Sequence, residues 1–143
     1  MPKNIHIKNR KASFDYFFIE EYSAGIQLFG SEVKSIAAGK VSMVDAFCYF
    51  DKEELFVKGM NISPMGDFTH DPLRTRKLLL KRKELKKLGK GLDEGVTIIP
   101  TLIFSNERGK LKINVALARG KKNYDKRNSI KEREISREIS KFI

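Results

Sequence analysis

With 143 residues and 41% hydrophobic side chains, the chain can bury one real core, and no apolar run approaches the roughly 20 residues of a membrane-spanning helix. A single cysteine, Cys48, excludes an intrachain disulfide and a thiolate zinc site. The net charge of +11 is clustered: residues 1–11 carry +4, residues 12–73 carry −6, residues 74–90 carry +8, residues 91–118 are neutral and residues 119–143 carry +5. Scattered lysines would speak only to solubility, whereas clusters of this kind point to a polyanion such as nucleic acid.

Residues 1–12 are polar and basic, an arm or first strand end around Asn9-Arg10-Lys11, with no apolar segment of the secretory kind, so a cytoplasmic protein is expected. Phe14 to Tyr22 is aromatic-rich and predicts a strand, continued by Gly25 to Phe29 after a bend. Gly30 to Gly39 predicts a short helix with Ser31 as N-cap, Val33 and Ile36 inward and Gly39 as terminator. Ala46–Phe50 and Leu55–Met60 flank a polar loop, Asp51-Lys52-Glu53-Glu54, and predict a β-hairpin in which Cys48 is a small buried hydrophobe. Asp71 and Pro72 then predict the opening of a basic helix running to Lys90, with Leu78, Leu85, Leu88 and Leu92 on one stripe and Arg76, Lys83, Lys86, Lys87 and Lys90 opposite. Strand character returns from Thr97 to Phe104, where Pro100 implies an edge or a bulge. After a turn at Ser105 to Gly109, Lys110 to Ala118 alternates cleanly, with Leu111, Ile113, Val115 and Leu117 on one face.

About six strands with two inserted helices suggest a mainly β fold, a small closed barrel of the oligonucleotide-binding sort; an open α+β sheet is the competing architecture. Beyond Gly120 the apolar periodicity stops. Ser129 and Glu132 match a capping box, and Ile135, Ile139, Phe142 and Ile143 form a stripe near the length floor for an isolated helix. The expectation is an OB-like domain over residues 1–120 and a basic tail over 121–143, disordered alone and helix-prone on a partner.

No enzymatic constellation is present in the sequence. His6 and His70 lack metal-site spacing, adjacent Glu20 and Glu21 point to opposite faces of a strand, and Gly89-Lys90-Gly91 lacks the P-loop spacing. The expectation is a non-enzymatic protein with no metal and no cofactor. Basic clusters offer phosphate donors, and Phe14, Tyr16, Tyr22 and Tyr124 lie where a base could stack. For Phe14 and Tyr16 a place in the barrel core is the competing reading. A structural ribosomal protein and a metal-dependent nuclease are the alternative classes.

Three groups of motifs carry a family resemblance: Asn9-Arg10-Lys11-Ala12 and Gly30-Ser31-Glu32-Val33-Lys34-Ser35; His70-Asp71-Pro72-Leu73-Arg74-Thr75-Arg76-Lys77-Leu78-Leu79-Leu80; and Ala116-Leu117-Ala118-Arg119-Gly120-Lys121-Lys122 with Tyr124-Asp125-Lys126-Arg127. Together they make the chain resemble the small protein B (SmpB) family, SsrA-binding proteins that partner transfer-messenger RNA (tmRNA) in bacterial ribosome rescue. The resemblance implies a closed six-stranded, antiparallel OB-like barrel with helices, gripping the elbow of the tRNA-like domain of tmRNA. It implies delivery to stalled ribosomes with elongation factor Tu for trans-translation, with the tail entering the mRNA channel near the decoding centre, by a protein that acts as a monomer and away from membranes.

Carried over by position, the resemblance assigns RNA contact to Asn9, Arg10, Lys11, Glu32, Lys34, Ser35, His70, Arg74, Arg76, Lys77, Arg119, Lys121 and Lys122. It assigns the ribosome-engaging tail to Tyr124, Asp125, Lys126, Arg127, Lys131 and Arg133. Phe14 and Ala37 stand where the family often has His and Arg, and the chain ends rather early for the family.

Overall fold

The computed structural model describes residues 4–66, 69–122 and 126–127. In chain order its elements are β1 (His6–Lys8), α1 (Arg10–Asp15), β2 (Tyr16–Ile26), α2 (Gly30–Ala37), β3 (Val41–Ser42), β4 (Phe47–Asp51), β5 (Glu54–Lys58), β6 (Asn61–Ile62), β7 (Arg76–Leu79), α3 (Arg82–Gly91), β8 (Val96–Ser105) and β9 (Leu111–Gly120). Antiparallel pairing runs β8-β4-β5-β7-β2-β9 and returns from β9 to β8, a ring of six strands; β1 adds to the ring at β8, and β3 pairs with β6 apart from it.

Alternation builds the interior. Leu111, Ile113, Val115 and Leu117 of β9 face inward as their spacing predicts, against Leu55 and Val57 of β5 and Ile98 of β8. Cys48 joins them, opposite Val57 and Ile98; burial pushes its thiol up, so it stays protonated and inert. Ile36 of α2 and Leu88 of α3 enter the same core and are fully buried. A smaller outer cluster of Ala12, Ile99 and Ala118, flanked by Tyr16 and Phe18, seats α1 on the outside of the ring.

Pro100 marks the bulge that its missing N–H implies: the β8–β9 register shifts between Pro100 and Leu102. The outer edge of β8 divides there. Leu102 to Phe104 pair with β1, and Ile98 pairs with Cys48 of β4. Asn9 closes the gap. Its amide nitrogen donates to the Pro100 carbonyl (2.8 Å) and the Met43 carbonyl (3.2 Å), its backbone N–H to the Thr101 carbonyl (2.8 Å), and its side-chain oxygen caps α1 by accepting from Ala12 N–H (3.2 Å). The N-terminal segment is thus a strand and a capped helix, where the sequence suggests an arm, and Phe14 falls in α1 rather than β2.

The basic helix is shorter than its sequence pattern predicts. Asp71 and Pro72 form a turn, with Asp71 Oδ1 accepting from Leu73 N–H (3.0 Å). Residues 76–79 are strand: Arg76 and Leu78 point in, Lys77 and Leu79 point out, and pairing with β5 and β2 consumes their backbone groups. Period two therefore wins over the helical stripe until Arg82, where Glu84 accepts from Lys81 N–H (3.1 Å) and opens α3. Likewise α2 is capped from Phe29, whose N–H donates to Glu32 Oε1 (2.8 Å), rather than by Ser31.

Candidate nucleic-acid interface

The motif residues of α2 and of the 70–76 loop meet around one buried carboxylate. Glu32, fully enclosed, accepts from Arg74 Nη2 on Oε1 (2.6 Å) and from Arg76 Nε on Oε2 (2.6 Å). Arg76 is equally enclosed; its remaining donors reach the carbonyls of Met60 (2.9 Å), Arg74 (2.8 Å), Pro72 (3.2 Å) and Asp71 (3.4 Å). A rigid guanidinium fork suits this duty, since each N–H needs a fixed acceptor once water is gone. His70 bridges the same elements: Nε2 donates to the Ile62 carbonyl (2.7 Å), which leaves Nδ1 to accept from Ser31 Oγ (3.0 Å) in the neutral ring. Ser35, also enclosed, donates to the Ser31 carbonyl within α2 (3.1 Å).

Burial alone would raise the Glu32 carboxyl, but hydrogen bonds from Arg74, Phe29 N–H and Arg76 outweigh it and hold the group below the usual carboxylate range. Burial pulls the Arg76 guanidinium down from its ordinary value against the opposing pull of Glu32. Glu32, Ser35 and Arg76 have no surface to offer a ligand, and Asn9 offers little. What the cluster exposes is its rim: Lys34 on α2, half-buried Arg74, and Phe29, 54% exposed with the Arg74 guanidinium 4.1 Å from its ring centroid. Lys77 lies on the outer sheet face, 3.0 Å from Glu54.

A second basic face forms where α1 meets the end of β9. Arg10 and Lys11 are exposed on α1; Lys11 lies 3.7 Å from Asp45. Arg119 pairs in register with Phe17, and Lys121 Nζ sits 4.9 Å from the Phe17 ring centroid while donating to the Ser13 carbonyl (3.2 Å). Lys122 is exposed beside them in sequence, Lys126 pairs with Asp15 (3.3 Å) and Arg127 is exposed. Arg10, Lys11, Arg119, Lys121, Lys122, Lys126 and Arg127 thus gather on elements in mutual contact, which their sequence separation conceals. Tyr124, Asp125, Lys131 and Arg133, and the expected tail helix, lie outside the described residues.

Among the proposed stackers, Tyr16 belongs to the outer α1 cluster and Tyr22 donates its hydroxyl to Glu20 (2.5 Å), which with burial pushes that hydroxyl up to about 12. Phe17 and Phe29 were not singled out by the sequence; each is an exposed ring with a cation over its face, and each lies on the rim of a basic patch. The signal was available for Phe29, which directly precedes the Gly30-Ser31-Glu32 motif. Among the described residues no group of three His, Cys, Asp or Glu side chains could hold a metal ion.

The chain is similar to known proteins along most of its length. The family model for "SmpB protein" matches residues 6–143. The chain belongs to the SmpB family. A SsrA-binding protein of Cytophaga hutchinsonii is 54% identical over 144 residues, covering 98% of this chain and 94% of the relative. One from Gloeobacter violaceus is 49% identical over 145 residues, covering 99% and 95%. A chain of the solved structure described as "tmRNA-SmpB: a journey to the center of the bacterial ribosome" superposes with a TM-score of 0.70 at 39% identity, covering 88% of this chain and 94% of that one.

Proposed function

We propose that this protein binds the tRNA-like domain of tmRNA (SsrA RNA) and brings it to stalled ribosomes for trans-translation, without catalysing a reaction itself. The observation that carries the reading is full-length membership of the SmpB family, joined to the superposition on a tmRNA–SmpB chain. In this reading the six-stranded ring acts as a closed OB-like barrel, residues 1–120 are the RNA-binding domain and residues 121–143 the ribosome-engaging tail. Arg10, Lys11, Lys34, His70, Arg74, Lys77, Arg119, Lys121 and Lys122 meet the RNA. The enclosed Asn9, Glu32, Ser35 and Arg76 act one step back: they fix α1 and α2 so that the rim cations and Phe29 stand in register with phosphates and bases.

Tyr124, Asp125, Lys126, Arg127, Lys131 and Arg133 serve the ribosome, and elongation factor Tu escorts the aminoacylated RNA. The protein works as a cytoplasmic monomer. The test is binding of the purified protein to a tRNA-like-domain transcript and to a random RNA duplex of equal length at the same salt concentration. A preference for the tRNA-like domain of at least about a thousandfold is expected, at the lower end of the range by which specific sites exceed non-specific ones. Equal affinity for both would remove the reading.

A further inference from the structure

Asp15, the last residue of α1, is an acid where two local rules ask for a base. The end of a helix carries partial negative charge on its free carbonyls, which favours a cation there. The carboxylate also stands within the basic face formed by α1 and the end of β9, where it repels the polyanion that its neighbours attract. Its bonds supply the reason for keeping it. The Asp15 carbonyl accepts from Lys121 N–H (2.7 Å), and the carboxylate faces Lys126 Nζ (3.3 Å). The Ser13 carbonyl accepts from Lys121 Nζ (3.2 Å). Lys126 N–H donates to the Lys122 carbonyl (3.1 Å), closing a helical turn whose far end the Asp15 carboxylate holds. Lys11, one turn back on α1, lies against Asp45 instead, at 3.7 Å. Outside the Glu32 cluster, and among the described residues, Asp15–Lys126 is the most enclosed ion pair. Its side chains are 23% and 34% exposed, against 50% and 30% for Glu54 and Lys77.

We propose that Asp15 is a positioning residue for the tagging step: it aims the chain that leaves the ring, holding Lys126 and Arg127 against α1 for delivery to the ribosome, and does not itself contact RNA. The inference rests on the tmRNA-binding role proposed for the protein. Geometry separates two jobs. The main-chain bond from Lys121 to Asp15 fixes where the outgoing chain begins, and it survives a change of side chain. The carboxylate fixes where the turn that ends at Lys126 points. Asn9 caps the other end of α1 and bonds it to the Pro100 carbonyl of β8, so α1 is a bracket between the ring and the outgoing chain. Magnitude decides the kind of device. A partly exposed ion pair biases its geometry by up to about fivefold, too weak for a lock and strong enough to aim. Phosphates of the ribosome can then take Lys126 over from Asp15, since a phosphate oxygen is an equally good charge-assisted acceptor.

The test compares Asp15→Lys, Asp15→Asn and Asp15→Glu in the full chain. Lys suits a helix C-terminus and Asn keeps the shape of Asp, and a thermal melt verifies each fold. Three quantities are read: affinity for the tRNA-like-domain transcript, peptide tagging on stalled ribosomes in a reconstituted reaction, and amide hydrogen exchange at Lys126 in the RNA-free protein. Asp15→Lys should bind the transcript at least as tightly as the parent, because it adds a cation to the α1 face. Its tagging should nonetheless fall about tenfold, from the lost pair and the new repulsion of Lys126, and exchange at Lys126 should quicken by about fivefold. Asp15→Asn should show the same directions at smaller size, and Asp15→Glu, which keeps the charge, should recover most of the tagging. Tagging and transcript affinity falling by the same factor would overturn the proposal, by making Asp15 a support of the RNA face. Tagging at the parent rate in both the Lys and Asn variants would overturn it too. A parent protein that neither preferred the transcript nor tagged would sink the tmRNA reading. Exchange at Lys126 would then decide the clasp alone, and an unchanged rate in Asp15→Lys would overturn it.

Discussion

Glu32 and Arg76 show how a polar side chain can matter for RNA without touching it. Both are fully enclosed; Glu32 ties α2 to Arg74 and Arg76, and Arg76 spends its donors on five carbonyl or carboxylate acceptors. Removing one member leaves the other buried and unpaired, a change that costs about 3–5 kcal/mol in comparable pairs. Arg76→Ala should therefore lower the urea midpoint sharply, and its RNA affinity should fall in proportion to the folded fraction. Acid titration tests the same cluster. Because the folded Glu32 carboxyl is held below its unfolded value, the stability it contributes is present above about pH 4.5 and drains away as pH falls through the folded value. Glu32→Gln should be less stable at neutral pH and show a flatter acid limb, measured by urea unfolding between neutral and mildly acid pH. Asn9 calls for a similar test: Asn9→Ala strips the Pro100 and Met43 carbonyls of a donor and α1 of its cap, an expected loss of about 2–3 kcal/mol. The resemblance assigns RNA contact to these residues and the structure encloses them; a motif of exposed and enclosed residues reads the same along one dimension.

Secondary structure was most legible where one period dominates. The β9 alternation, the Pro100 bulge and the β4–β5 hairpin all follow from local pattern. The stretch from Asp71 to Leu80 did not, since Leu78 satisfies both the strand period and the helical stripe, and only the partners offered by β5 and β2 decide between them. α1 was hidden for a different reason: six residues carry too little periodicity, and its cap depends on the tertiary bonds of Asn9. The hairpin turn supplies an element-scale prediction. Lys52 and Glu53 both sit at positive φ, 50° and 67°, the backbone of a type I′ turn that Asn-Gly fits without strain. Lys52→Asn with Glu53→Gly should stabilise the protein by about 1 kcal/mol, read as a raised melting temperature, since the Arg82–Glu53 pair it removes is fully exposed and worth little. At Gly59 the opposite holds: φ is +81° and an added Cβ would lie 2.8 Å from the Asp45 carbonyl oxygen, so Gly59→Ala should destabilise by about 1–3 kcal/mol.

Across the whole molecule, charge is divided between a rigid ring and the segment that leaves it. The chain leaving β9 stays against α1: Lys121 N–H donates to the Asp15 carbonyl (2.7 Å) and Lys126 pairs with the Asp15 carboxylate (3.3 Å). Lys126 and Arg127 therefore stand at the edge of the α1 face, and their substitution separates two tasks that the net charge of +11 merges. If the ring holds the tRNA-like domain by neutralising about six phosphates, affinity should fall roughly a thousandfold between 50 and 200 mM salt. Lys126→Ala combined with Arg127→Ala should leave that slope and the affinity near the parent values, because the cations of α1, α2 and β9 remain. On the proposed reading the same double variant should abolish peptide tagging on stalled ribosomes in a reconstituted translation reaction, since Lys126 and Arg127 are among the charges proposed to engage the particle. Intact tagging would show that these cations serve only to hold the tail to Asp15. A slope reduced by about two with tagging retained would move both residues into the face that grips the RNA.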